Sequence, residues 1–157
     1  QQIADAGDTA RSLDAIGHAL LDLETSFYAS DERLEIALRR SGARHKPVAT
    51  ASYVFFAQLA AEDLPLLESL SVGDFEYPDN SATLIVGCAL GAADASALCL
   101  SGPGILGEQQ VRVGGLPEGF WALRERLIHY PLGIDVFLVS GGRVIGLPRT
   151  TKVQPCM

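Results

Sequence analysis

A long run with almost no charge, residues 80–107, constrains the fold of this chain more than any other feature. Asp94 is its only charged residue, a composition superficially typical of a membrane span. Six glycine and proline residues interrupt the run, however, and its apolar residues fall into two short segments of β-type composition. We therefore predict two buried strands, Ala82 to Cys88 and Ser96 to Ser101, rather than a helix that crosses a membrane.

Helices and strands alternate along the first half of the chain, and short strands dominate the second half. The apolar spacing predicts helices at Thr9 to Asp22, Asp31 to Arg40, Glu62 to Leu70 and Pro117 to His129. Five further strands are predicted at Thr25 to Ala29, Ser52 to Phe56, Gln109 to Val113, Ile134 to Val139 and Arg143 to Leu147. Asp8 is expected to cap the first helix, and Asp63 the third.

This order of elements predicts the fold class. Early alternation indicates parallel crossover units, whereas the later strands indicate an antiparallel part. We therefore predict one α/β domain over residues 1–157, a three-layer structure in which helices flank a mixed sheet. Residues 1–8 have neither the basic start nor the apolar stretch of a signal peptide. The chain lacks an initiator methionine, so we expect that residues preceding Gln1 are absent.

The charge balance restricts the class of partner. The net charge is −7, and only two of the twelve basic residues are lysines, Lys46 and Lys152. Nucleic acids and anionic membranes require a dense basic patch, so neither is expected as a partner. Hydrophobic residues make up 48% of the chain. We expect part of that apolar surface to face a partner subunit rather than the internal core.

The three cysteines, Cys88, Cys99 and Cys156, do not have the spacing of a metal site. Cys88 and Cys99 lie in apolar strand segments, where a buried free thiol is the expected state. Free cysteines are typical of a reducing cytoplasm, which is the predicted location. No metal is expected.

The sequence contains partial forms of several catalytic motifs, but each lacks an essential part. Residues 102–107 match G-x-G-x-x-G, yet the following Gln109 to Val113 alternates like a strand, where a dinucleotide site requires a helix. Ser101 lacks the flanking glycines of a nucleophile elbow. Neither Lys46 nor Lys152 is placed for a Schiff base with pyridoxal phosphate. We therefore assign no catalytic residue and expect no cofactor.

The end of the last predicted strand is the most informative candidate site. Arg149 precedes Thr150 and Thr151, so a planar guanidinium and two hydroxyls are available to a phosphate or carboxylate. Asp135 would hold Arg149 in place if the last two strands pair. A purely structural bridge between Asp135 and Arg149, with threonines that cap backbone groups, is the alternative. The predicted ligand-binding residues are Ser101, Gly102, Asp135, Arg149, Thr150 and Thr151.

Four segments, in order, resemble the H subunit of the bacterial carbon–phosphorus lyase complex. They are Tyr77 to Leu84 (YPDNSATL), Leu100 to Ile105 (LSGPGI), Pro131 to Asp135 (PLGID) and Leu147 to Thr151 (LPRTT). Phe120-Trp121 also fits the family, and the resemblance extends from about Leu20 to Thr151. Family members are longer at the start, where an additional helical segment precedes the first helix seen here.

The resemblance implies a cytoplasmic subunit of phosphonate catabolism. The family's assembly transfers a methylphosphonate-type group onto the ribose of a purine nucleoside triphosphate and displaces the base, before radical cleavage of the carbon–phosphorus bond. The resemblance further implies a homodimer that joins the G, I and J subunits and is not catalytic alone. It implies a fold similar to the large domain of pyridoxal phosphate-dependent transferases, without the cofactor site.

Two other hypotheses remain open from the sequence. The chain could be a stand-alone enzyme or binding module for a phosphorylated metabolite, with Ser101 and Arg149 in its pocket. It could also be a scaffold without a ligand.

Overall fold

The computed structural model describes residues 2–157, and their side chains from Ala6 onward. Its α-helices are α1 (Gln2–Leu20), α2 (Glu32–Arg39), α3 (Leu64–Leu67) and α4 (Phe120–Leu127). Its strands are β1 (Ser26–Ala29), β2 (Arg44–His45), β3 (Tyr53–Phe56), β4 (Thr83–Gly87), β5 (Ala89–Leu90), β6 (Ser96–Ser101), β7 (Gln109–Gly114), β8 (Asp135–Ser140), β9 (Arg143–Leu147) and β10 (Lys152–Pro155). Short 3₁₀ turns lie at Ala61–Asp63 and Pro78–Asn80.

The strands form two sheets. The main sheet has the order β2-β1-β3-β4-β8-β9, in which β9 is antiparallel to β8 and all other neighbours are parallel. The second sheet has the order β10-β6-β7-β5 and is antiparallel throughout. The predicted α/β class is confirmed, and so is the presence of parallel and antiparallel parts. Most of the antiparallel part, however, forms a sheet of its own.

The two sheets separate at a single residue, Cys88, between β4 and β5. Its backbone N–H still donates to the carbonyl oxygen of Val139 in β8, at 2.9 Å. One residue later the chain pairs with β7 instead, through Ala89 opposite Gly114. The sequence predicted one strand through Cys88 and gave no sign of β5, because two residues are too few to produce a periodic pattern.

The core lies on both faces of the main sheet, because successive strand residues point to opposite sides. Helices α1 and α2 pack on one face, against residues that include Phe27, Phe55, Ile85 and Val139. Helices α3 and α4 and the second sheet cover the other face, against residues that include Val54, Phe56, Leu84, Val86 and Leu138. This arrangement confirms the helices predicted on the faces of the sheet.

Burial on both faces explains the nearly uncharged run that dominates the sequence. Four of the five residues of β4 are buried, so this strand has no solvent-facing side to carry charge. The strands predicted there are confirmed as β4 and β6. Within residues 2–157, no helix combines the length and the apolar character needed to span a bilayer.

The predicted helix boundaries were accurate for α2 and less so elsewhere. Asp31 caps α2 by accepting a hydrogen bond from the Leu34 N–H at 2.8 Å. Helix α1 begins at Gln2, so Asp8 lies inside it and the predicted cap at Asp8 is wrong. The side chain of Asp63 stabilises the start of the 3₁₀ turn before α3 rather than the start of α3 itself. Its carboxylate accepts a hydrogen bond from the N–H of Ala60, which precedes that turn.

The predicted state of the cysteines was right for Cys88 and wrong for Cys99. Cys88 is free, and burial raises the pKa of its thiol to about 11. Cys99 in β6 forms a disulfide with Cys156, with their Cα atoms 5.1 Å apart. The polar residues of β10 gave no strand pattern, yet β10 pairs with β6 and brings Cys156 to Cys99. The cysteines therefore no longer support a reducing compartment.

We expect Cys99→Ser to lower the free energy of unfolding by about 2–4 kcal/mol, because the bridge closes a long loop in the unfolded chain. The two cysteines are 57 residues apart in sequence. Urea titrations with and without dithiothreitol measure the effect. Cys88→Ser is the matched control, and it should keep the sensitivity to dithiothreitol. If the wild-type chain has the same urea midpoint of unfolding with and without dithiothreitol, the disulfide does not form in solution.

Candidate functional site

The six predicted ligand residues lie together at the amino edge of the main sheet. Asp135 opens β8, and Arg149 follows β9, which pairs with β8. Ser101 closes β6 and lies opposite Lys152 of β10. Gly102 has a φ of +134°, and a Cβ added to it would lie 2.7 Å from the carbonyl oxygen of Thr150. Glycine is therefore required where the end of β6 packs against the Thr150–Thr151 backbone.

Asp135 holds Arg149 by both its main chain and its side chain. The Oδ1 atom accepts from the Arg149 backbone N–H at 2.8 Å and from Nε at 3.4 Å. The Oδ2 atom accepts from Nη2 at 2.9 Å. The contact predicted between these residues is therefore present, in a two-pronged geometry that favours a fixed guanidinium orientation.

The other N–H groups of Arg149 are also directed at acceptors within the chain. Nη1 donates to the carbonyl oxygens of Pro78 at 3.0 Å and Pro131 at 3.1 Å, and Nη2 donates to the Ser81 hydroxyl. Only 14% of the side chain is exposed. All five guanidinium N–H groups thus have an acceptor, and a phosphate could bind only by displacing one of them. This geometry favours the structural alternative for Arg149.

The arginine joins two surface loops that carry exposed aromatic side chains. Tyr77 precedes Pro78 and is 52% exposed, and Tyr130 precedes Pro131 and is 76% exposed. Phe75, in the same loop as Tyr77, is 80% exposed. We call the two loops that carry Phe75, Tyr77 and Tyr130 the aromatic loops. Since both proline carbonyls bond one nitrogen of Arg149, that side chain fixes the two loops relative to each other.

A second arginine, Arg124 of α4, supports the same region and was missed in the sequence. It is buried and donates to the carbonyl oxygens of Pro148 at 2.9 Å and Thr151 at 3.2 Å. Burial lowers the pKa of its guanidinium, and the charge of Asp135 opposes that shift. A signal was available, because Arg124 comes four residues after the buried Phe120 and so shares its helix face.

A polar cleft of about 410 Å³ lies beside this region, at the amino ends of β1, β3 and β4. Ser81 links the cleft to the Arg149 cluster, because it lines the cleft and its hydroxyl accepts a hydrogen bond from Arg149. The lining has hydroxyls, one amide and one carboxylate, so it suits a neutral hydroxylated molecule better than an anion. The lining residues are Thr25, Ser52, Tyr53, Asp79, Asn80, Ser81 and Thr83. None of the six predicted ligand residues lines it.

At the opposite, carboxyl edge of the main sheet, where open parallel sheets usually bind ligands, helix α1 lies against the end of β8. Helix α1 bonds the turn after β8, since Ser12 donates to the Gly141 carbonyl at 2.6 Å and Thr9 accepts from its N–H at 2.8 Å. Ser30 donates from its backbone N–H to the Phe55 carbonyl across the ends of β1 and β3. The described residues hold no cluster of three histidine, cysteine or acidic side chains suited to a metal.

The fold and the site together define an α/β protein in which an arginine–carboxylate cluster organises surface loops. A family model described as bacterial phosphonate metabolism protein (PhnH) matches residues 2–154. The chain belongs to this family, and the resemblance seen in four sequence segments is thereby confirmed.

Two relatives agree with this assignment. The putative C-P lyase subunit protein HtxG of Stutzerimonas stutzeri is 39% identical over 119 residues, which cover 74% of this chain and 58% of that protein. The α-D-ribose 1-methylphosphonate 5-triphosphate synthase subunit PhnH of Rhizobium meliloti (strain 1021) is 35% identical over 105 residues, 65% of this chain and 50% of that protein. The chain therefore spans about half the length of the curated relatives it matches.

We expect Arg149→Ala to lower the free energy of unfolding by about 2–3 kcal/mol, because it removes the cation that pairs with Asp135 and the donor to the carbonyls of Pro78 and Pro131. Thermal and urea unfolding measure the loss. Arg126→Ala is the matched control, because its ion pair with Glu68 is about 60% exposed on both sides and should contribute little.

A phosphate titration of the same Arg149 variant separates the two interpretations of this residue. The ligand interpretation predicts that phosphate stabilises the wild-type chain and that the variant loses this stabilisation with an unchanged melting temperature. That outcome would contradict the structural role.

Proposed function

We propose that this chain is a non-autonomous subunit of a carbon–phosphorus lyase assembly in organophosphonate catabolism. In that role it supports transfer of the phosphonate to the ribose of a purine nucleoside triphosphate, with α-D-ribose 1-methylphosphonate 5-triphosphate as the product. The match of the family model to residues 2–154 carries the proposal. The names of the two relatives, a C-P lyase subunit and a subunit of that synthase, support it.

The geometry at the amino edge supports a role in assembly more than a role in chemistry. The N–H groups of Arg149 are hydrogen-bonded within the chain, two of them to the carbonyls of the aromatic loops. These loops expose Phe75, Tyr77 and Tyr130 to solvent. Exposed aromatic side chains on ordered loops are typical of the contact surfaces between protein subunits. We infer that the aromatic loops contact another subunit. The proposed partners are a second copy of this chain and the G, I and J subunits.

We also propose that the fold is similar to the large domain of pyridoxal phosphate-dependent transferases, without the cofactor site. The mostly parallel six-stranded sheet between helices supports the likeness. The two lysines support the absence of the cofactor: Lys46 follows the short edge strand β2, and Lys152 lies in β10 of the other sheet. Residues 1–157 are proposed as one domain. The proposed cytoplasmic location rests on the nucleoside triphosphate substrate.

A role for Ser101, Gly102, Asp135, Arg149, Thr150 and Thr151 in binding a phosphorylated metabolite stays a prediction. Their proximity supports it, and the internal bonds of Arg149 weigh against it.

We expect the Tyr77→Ser, Tyr130→Ser double variant to lose co-purification with coexpressed partner subunits while it keeps the wild-type melting temperature. The reason is that both side chains are mostly exposed and contribute more to contact than to the core. Leu23→Ser is the control, because Leu23 is about as exposed as Tyr130, at 78% against 76%, but lies outside the aromatic loops. If Leu23→Ser loses co-purification and the double variant keeps it, the interface lies near Leu23 and not at the aromatic loops.

The purified chain alone is expected to show no turnover of methylphosphonate with a purine nucleoside triphosphate, and product should form when the partner subunits are added. Product is measured by ³¹P NMR. Turnover by the chain alone would overturn the proposed subunit role.

A further inference from the structure

Among the four sheet edges of the described residues, strand β9 is the one best suited to accept another strand. The four outer strands are β2 and β9 in the main sheet and β5 and β10 in the second. β2 and β5 have two residues each, and β10 begins with a lysine and ends with a proline. Short edges, lysine and proline all discourage strand addition. β9 has five residues and no proline.

The backbone of β9 is oriented for pairing. β8 and β9 are joined by the two-residue turn Gly141-Gly142, so Ser140 and Arg143 form the closing hydrogen-bonded pair. Hydrogen-bonded and non-hydrogen-bonded pairs alternate in an antiparallel ladder. The backbone groups of Val144 and Gly146 therefore point away from β8, toward the open side. Val144 is 47% exposed.

A trough of about 420 Å³ runs between β9 and the edge of the second sheet. Its walls combine four apolar residues with two arginines, a composition that suits an extended segment with alternating apolar and acidic side chains. The residues concerned are Leu90, Val111, Arg112, Arg143, Val144 and Ile145.

Both arginines are held by the backbone and keep N–H groups for a ligand. Arg143 donates from Nη2 to the carbonyl of Leu90, and Arg112 donates from Nη1 to the carbonyls of Ala93 at 3.3 Å and Ala95 at 3.1 Å. Arg112 retains Nε and Nη2, the two groups that together grip a carboxylate. In the described part of the chain, neither arginine has an acidic partner within 4.0 Å, although acidic residues outnumber basic ones 19 to 12.

Gly91 brings the two arginines to one place. Its N–H donates to the Arg112 carbonyl at 2.9 Å, and its φ is +76°. A Cβ on this residue would lie 3.3 Å from Nη1 of Arg143. The absence of a side chain thus lets the Arg143 guanidinium fold over the end of β5.

We propose that β9 and this arginine pair bind an extended acidic segment of a partner protein, which adds as a strand to the main sheet. The segment's backbone pairs with Val144 and Gly146, and a carboxylate bonds Arg112 and Arg143. Charge complementarity identifies the occupant, because an acidic segment supplies the carboxylates that Arg112 and Arg143 of the trough lack, whereas the β9 strand of a second copy contains no acidic residue. The proposed subunit role supplies the reason for a partner, but the inference is tested on the chain alone.

The test is fluorescence anisotropy with a labelled six-residue peptide that alternates valine and aspartate. We expect binding by the full chain, and at least tenfold weaker binding by the Arg112→Gln, Arg143→Gln double variant. Arg126→Gln is the control, because it removes an exposed arginine of another surface and should leave the affinity unchanged. Both substituted arginines are exposed and bond only backbone carbonyls, so the double variant should lose little thermal stability and stay folded at the assay temperature.

Two further peptides separate strand addition from simple charge attraction. A peptide with asparagine for aspartate should bind at least tenfold more weakly, and a peptide N-methylated at alternate residues should not bind. Equal binding of the N-methylated peptide would overturn strand addition, and equal binding of the asparagine peptide would overturn the arginine contact.

The oligomeric state of the chain tests whether a second copy occupies the β9 edge. If Val144→Arg converts a dimer of the chain into a monomer, the edge is occupied by a second copy and the proposal is overturned. If all peptides fail while the chain still assembles with the partner subunits, the edge inference fails and the proposed function stands.

Discussion

The guanidinium of Arg149 is the interaction on which the amino edge of this protein depends. A largely buried cation is tolerated only when its charge and every N–H group are satisfied. Here one carboxylate supplies the charge, and a hydroxyl and two carbonyls complete the set. The acceptors come from segments far apart in sequence. The same bonds that satisfy the cation therefore determine where those segments lie.

The two sheets have different roles in the fold. The main sheet is buried on both faces and supplies most of the core, with side chains such as Phe55 and Ile85 fully enclosed. The second sheet covers part of one face, and the Cys99–Cys156 bridge joins its strand β6 to the residue that follows β10. Arg124 lies between them, since it projects from α4 and bonds the carbonyls of the segment that leads from β9 to β10. Packing and polar contacts thus attach the second sheet to the main sheet, and the disulfide stabilises the second sheet itself.

The sequence was sufficient for features that repeat locally. The apolar runs of β4 and β6, the capped helix α2 and the alternation of helices with strands all leave a periodic or compositional signal. The contact of Asp135 with Arg149 was also predictable, because a hairpin places the two residues at one end. The strand β10 was not, because its polar residues become a strand only through pairing with β6.

The same reason explains what was missed at the candidate site. The carbonyls of Pro78 and Pro131 have no side-chain identity that a sequence pattern could record, yet they decide whether Arg149 has capacity for a ligand. Arg124 left a helical-spacing signal, but a charge on an apolar face is easily assigned to solvent. Long-range backbone acceptors are a property of the tertiary structure alone.

The first helix lies at the carboxyl edge of the main sheet, the edge at which open α/β proteins usually bind their ligands. Thr9 and Ser12 of α1 bond the backbone of Gly141, in the turn that joins β8 to β9 at this edge. The first helix therefore satisfies, from within the chain, backbone groups at the end of β8 that a ligand or water would otherwise have to satisfy.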